Sequence, residues 1–132
     1  MCIRDRTKIG CVQNQAGQTG NNAPELAASM YANYYNNLSA DWDMVLSVNA
    51  NYQDEVYTNT DNDPDAFQEA YTKINVSASF EHSNGLNVSV FARNVTDEVT
   101  ATQLLDLPLV PGSHFALWAP GKEVGISVRK TF

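Results

Sequence analysis

Apolar and polar residues alternate with a period of two along five stretches of this 132-residue chain. That spacing is how a β-strand sends successive side chains to opposite faces. The first stretch, Leu26 to Tyr35, follows Pro24 and sets Leu26, Ala28, Met30, Ala32 and Tyr34 against Ser29, Tyr31, Asn33 and Tyr35. The second, Trp42 to Tyr57, alternates Trp42, Met44, Leu46, Val48, Ala50 and Tyr52 with Asp43, Ser47, Asn49, Asn51 and Gln53. Tyr71 to His82 repeats the pattern with Ile74, Val76, Ala78 and Phe80, and Leu86 to Asn94 with Leu86, Val88, Val90 and Ala92. The last stretch, Lys122 to Phe132, carries Val124, Ile126, Val128, Lys130 and Phe132 on its even face and runs to the final residue. The pattern predicts an all-β chain of about five antiparallel strands, in which residues 24–132 hold the strands and residues 7–23, rich in Gly, Gln and Asn, form a loop.

The connections alternate in length. Asn36 to Asp41 reads as a short turn and Ser83-Asn84-Gly85 as a tight hairpin, whereas Thr58 to Ala70 and Val95 to Gly121 are long, broken by Pro64 and by Pro108, Pro111 and Pro120. Outer-membrane barrels have short periplasmic turns and longer extracellular loops, with aromatic girdles at both interfaces. Laid out that way, Tyr34, Trp42, Phe80 and Phe132 fall at the periplasmic ends of their strands and predict such a girdle. The expected architecture is an open, curved piece of a transmembrane β-barrel. A soluble secreted β-sandwich shares the alternation, but nothing in it forces the aromatic residues to one end.

Composition narrows the partners. Charged residues are only 17% of the chain, and Lys plus Arg number eight against fifteen Asp plus Glu, for a net charge of −7. Nucleic-acid binding needs a basic patch, so no nucleic acid is expected as partner. Mean hydropathy is −0.33, and there is no apolar run of the roughly 18 residues that a transmembrane helix requires. Barrel strands need only about 9–11 residues each, so a membrane protein stays open. No signal-peptide core precedes the first strand. Residues 1–6, M-C-I-R-D-R, resemble translated read-through of a sequencing adapter and are set aside as non-native. That leaves Cys11 in a polar stretch, matching no zinc or redox spacing.

A family resemblance enters at Phe91 to Glu98, F-A-R-N-V-T-D-E, a strand end followed by a loop and a last strand of the form G-x-S-x-R-x-x-F. With N-A-P-E-L at Asn22 to Leu26 and Asp54-Glu55-Val56-Tyr57 upstream, this order is similar to the C-terminal region of TonB-dependent receptors of the siderophore-receptor type. The resemblance covers nearly all of residues 22–132. It implies the bacterial cell outer membrane and a plugged barrel of about 22 strands, of which this chain supplies the last five, the plug domain being absent. It also implies uptake of a scarce ligand, such as a ferric siderophore, with energy from the inner membrane. The implied partners are outer-membrane lipid, the barrel-assembly machinery, the TonB complex through the missing N-terminal part, and a small-molecule ferric chelate. Val124, Ile126, Val128 and the terminal Phe132 resemble the signal read by the assembly machinery. The chain departs from the family at Lys130, where an aromatic is common; a Lys there can snorkel to the interface.

Candidate chemistry is sparse. Asp61, Asp63 and Asp65 have the spacing of a calcium loop, but Ala66 and Thr72 stand where that loop needs Gly and Glu. His82 and His114 stand apart, and no Ser has a nucleophile elbow or a partnered base. No catalytic, cofactor-binding or metal residue is therefore expected, and the chain does not read as an enzyme. Arg93 and Arg129 fall on the wet face, where each is expected to pair with a lumenal carboxylate such as Glu81 or to meet the plug. His114, Phe115 and Trp118, in the last long loop, are the candidate contacts for an extracellular ligand. The alternatives to a receptor are a passive barrel, porin or translocator, and a soluble secreted β-sandwich binding module.

Overall fold

The computed structural model describes residues 17, 20–59, 64–107 and 113–132. Residues 1–6, Cys11, Asp61 and Asp63 lie outside the described residues. The described residues form two compact units, one of residues 26–53, 71–98 and 120–132, the other drawn from residues 17, 20–25, 54–59, 64–70, 99–107 and 113–119.

The first unit is a five-stranded antiparallel sheet, β1 (Ala27–Asn37), β2 (Trp42–Gln53), β5 (Tyr71–His82), β6 (Leu86–Arg93) and β9 (Glu123–Lys130), in the order β1-β2-β5-β6-β9. It is open, with β1 and β9 as its edges. In every ladder even-numbered residues pair with even-numbered ones. Ala32, Val48, Val76, Ala92 and Val124 thus make one row across all five strands, and Tyr34, Leu46, Ala78, Val90 and Ile126 the next. This apolar face is uncovered: Val76, at the centre of the sheet, is 38% exposed, and Ile126, on the edge strand, 68%. Among the described residues the buried hydrophobic side chains are Val56 and Ala66 alone, neither of them on the sheet. The two-layer core of a sandwich is therefore not built.

One end of the sheet carries the short turns. Leu38 N–H donates to the Trp42 carbonyl at 2.9 Å and Gly85 N–H to that of His82 at 2.9 Å. Gly85 has φ +84°, and a Cβ there would stand 2.7 Å from the Thr131 carbonyl oxygen, so both backbone and space demand glycine. The connections after β2 and β6 both leave from the other end.

Several boundaries differ from those the alternation predicts. β1 continues through Asn36 and Asn37, which pair with Met44 and Asp43. β2 stops at Gln53, because the Glu55 N–H turns to the Asp54 carboxylate at 3.0 Å, a local bond that competes with the ladder. Val56–Tyr57 is a separate strand, β3, paired with β4 (Phe67–Gln68) after a 3-10 turn at Pro64–Ala66. The last long connection contains a hairpin of β7 (Ala101–Asp106) and β8 (His114–Trp118). β9 ends at Lys130 rather than at the terminus, although Thr131 N–H still reaches the Gly85 carbonyl at 3.0 Å.

The F-A-R-N-V-T-D-E segment acts as a clasp at the exit of β6. Asn94 is buried and has φ +48°, a left-handed conformation that Asn tolerates better than most residues. Its amide Nδ2 donates to the carbonyls of Glu98 (2.9 Å) and Pro120 (3.4 Å), while Oδ1 accepts from Glu98 N–H (3.0 Å). Its own N–H donates to Asn75 Oδ1 at 2.9 Å. Asp97, at φ +56°, accepts from Lys122 N–H at 2.9 Å. The start of the connection and its return to β9 are tied together this way. Asn94→Ala is expected to cost about 2–4 kcal/mol, from lost buried hydrogen bonds plus a strained backbone. Asn94→Gly, which relieves the strain, should cost less. Urea unfolding in detergent micelles checks this order, wild type above Asn94→Gly above Asn94→Ala.

Candidate functional site

The sheet presents two faces that differ in kind. Opposite the apolar face, odd-numbered positions bring Asn, Ser and Tyr together. A hydrogen-bond chain crosses strands there: Ser29 Oγ to Asn51 Oδ1 (3.0 Å), Asn51 Nδ2 to Asn49 Oδ1 (2.6 Å), and Asn75 Nδ2 to the same Asn49 oxygen (3.1 Å). Asn75 Oδ1 in turn holds the Asn94 backbone, so the wet face and the clasp form one network. A shallow depression of about 390 Å³ lies over it, lined among others by Tyr31, Asn49, Asn75, Phe91 and Arg93.

Charges stand at the two ends of this wet face. Arg93 pairs with Glu123 at 3.7 Å, not with Glu81, and its guanidinium sits 4.9 Å from the centre of the Phe91 ring. Both side chains of the pair are largely exposed, so it contributes little to stability. Arg129 lies in the row of Asn87, Glu81 and Asp43 near the short turns. Phe91 also explains Gly125: a Cβ on Gly125 would meet the ring at 2.5 Å, so the aromatic ring covers the glycine of the edge strand.

Val124, Ile126 and Val128 project from the apolar side of β9 and are exposed, and Phe132 is fully exposed beyond the strand. Trp42 lies in the outermost row, opposite His82; Phe80 is one row further in, opposite Met44; Tyr34 is one row beyond that, opposite Leu46. All belong to the half of the sheet nearer the short turns, in stepped rather than level rows.

His114, Phe115 and Trp118 all lie on β8, but alternation divides them. His114 and Trp118 share one face, and His114 Nε2 is 3.6 Å from the Asp65 carboxylate. Phe115 is on the other face, opposite Leu105 and beside Leu117, and all three are exposed. Leu105 and Leu117 were not singled out from the sequence, although the spacing of Phe115 and Leu117 within H-F-A-L-W carried the signal. Among the described residues, no three His, Cys, Asp or Glu side chains are grouped to hold a metal ion.

A family model described as TonB dependent receptor-like, beta-barrel matches residues 5–95. No curated protein and no solved structure matches the chain significantly. The two faces make different demands on substitution. Val76→Arg, at the centre of the apolar face, is expected to destabilise the lipid-inserted sheet by about 2–4 kcal/mol, as for a cation at the bilayer midplane. Ser77→Arg, one residue on but on the wet face, should cost under about 1 kcal/mol. Urea titration of the complete barrel in lipid vesicles separates the two.

Proposed function

The chain belongs to the TonB-dependent receptor β-barrel family, and on that premise we propose that it forms the C-terminal strands of a receptor that takes up a ferric siderophore or a comparably scarce ligand. The family places it in the bacterial outer membrane and makes it part of a transporter rather than an enzyme. The observation that carries the reading is the predominantly apolar face, in register over four ladders, set against a hydrogen-bonded wet face. A barrel wall between lipid and a polar lumen needs those two surfaces. A passive barrel would need them too; the family match favours the receptor.

In this reading the end with short turns faces the periplasm. Tyr34, Trp42, Phe80 and Phe132 are then the girdle on that side, and Val124, Ile126, Val128 and Phe132 are the segment read by the barrel-assembly machinery. The β7–β8 hairpin belongs to the extracellular loops, and its Phe115, Leu105 and Leu117 on one face, with His114 and Trp118 on the other, are its candidate ligand contacts. Coupling to the TonB complex is assigned to an N-terminal plug domain that is not part of this sequence, and residues 1–6 to adapter read-through.

Recovery and translation of the genomic DNA upstream of Thr7 tests this directly. The expected result is an open reading frame of several hundred codons, to order of magnitude, encoding a signal peptide and a plug domain in frame. Deleting the recovered gene should then abolish energy-dependent uptake of a radiolabelled ferric chelate by the source bacterium. A start codon at Met1 behind its own ribosome-binding site would overturn the receptor reading, and unchanged uptake of every ferric chelate tried would remove the siderophore.

A further inference from the structure

Within the five strands, the apolar face carries one formally charged side chain, Lys130, and it stands in the row that borders the short turns. That row reads Trp42, His82, Leu86 and Lys130 across β2, β5, β6 and β9. Its polar groups offer donors. His82 Nδ1 accepts the Asn84 backbone N–H at 3.1 Å, which leaves Nε2 as the donor of the ring. The Trp42 ring meets His82 edge-on with centroids 4.7 Å apart and fixes its orientation. Lys130 Nζ gives one hydrogen to the Asn84 carbonyl at 2.6 Å and keeps two. With strands about 4.8 Å apart, His82 and Lys130 flank Leu86 at roughly 10 Å between Cα atoms. One phosphate group held by both side chains closes such a gap.

Further along the same face, small Ala78 and Ala92 among Leu46, Val48, Val76 and Val90 leave an apolar depression of about 360 Å³. We propose that these features together form a binding site for an anionic glycerophospholipid, its phosphate between Lys130 and His82 and an acyl chain in the depression. The site rests on the reading that the apolar face meets lipid.

The chain's net charge of −7 repels an anionic surface, so a preference for anionic lipid must come from a local site. The test is flotation of the full-length receptor, encoded by the recovered gene, with vesicles of phosphatidylcholine alone and of phosphatidylcholine with phosphatidylglycerol, with protease protection reporting insertion. The expected result is insertion into both, with a preference for the phosphatidylglycerol vesicles. Lys130→Gln should weaken that preference about fivefold, the value of one cation at a membrane surface. Lys122→Gln, at the other end of the sheet, should leave it intact. Insertion without preference, or equal effects of the two variants, overturns the headgroup site and leaves the receptor reading standing. Competition by inorganic phosphate would show a small-anion site and overturn the lipid assignment. Failure to insert into either vesicle overturns both readings.

Discussion

Register is the constraint on which everything else depends. Because side chains alternate with a period of two, a slip of one residue in any ladder would turn that strand's apolar set to the wet face. The four ladders of this sheet keep even positions with even positions throughout. The turns help to set that phase: Gly85 supplies the positive φ of the β5–β6 hairpin, and Leu38 closes the β1–β2 turn on Trp42. On the wet face, the chain from Ser29 through Asn51 and Asn49 to Asn75 adds polar bonds that form only in this register. Side chains on one face thereby report, and help to fix, the alignment that defines the other.

Much of this was legible in the sequence, because a strand with two different environments writes its period directly. β5 has the bounds that alternation predicts, Tyr71 to His82, between an acidic loop and a Ser-Asn-Gly turn. Errors arose where alternation and local bonding disagree. Val56 and Tyr57 continue the β2 pattern, yet the Asp54 carboxylate captures the Glu55 N–H and the ladder ends first. The β7–β8 hairpin was hidden for the opposite reason: Thr100 to Leu105 alternates poorly, and a bulge between Ala101 and Gln103 shifts its phase. Prolines around it read as loop.

The functional residues were less legible than the strands. Asn94 was visible as a member of a motif but not as a clasp, because its partners Asn75 and Pro120 lie 19 and 26 residues away in the chain. Grouping His114, Phe115 and Trp118 joined positions that alternation assigns to two faces, while Leu105 and Leu117, which complete the apolar side, passed as ordinary loop residues. Arg93 found Glu123 rather than Glu81 because Glu123 is its direct cross-strand partner on β9, whereas Glu81, on the neighbouring strand at the other side, faces Asn87 near the opposite end of β6. Sequence spacing gives the face of a residue; its neighbours require the register of the next strand.

The environment completes what the chain begins. In water the exposed rows of Val, Leu and Ile would drive association, and the free edges of β1 and β9 would offer backbone groups to any extended segment. In hydrocarbon the balance changes in two ways. The apolar face no longer costs free energy, but each unpaired edge N–H or C=O then costs several kcal/mol in order of magnitude, with no water to satisfy it. Lipid therefore favours the face and penalises the edges of the same sheet. Both demands are met only when β1 and β9 are each joined to further strands, so closure into a barrel follows from the backbone, and the apolar face determines which solvent surrounds it.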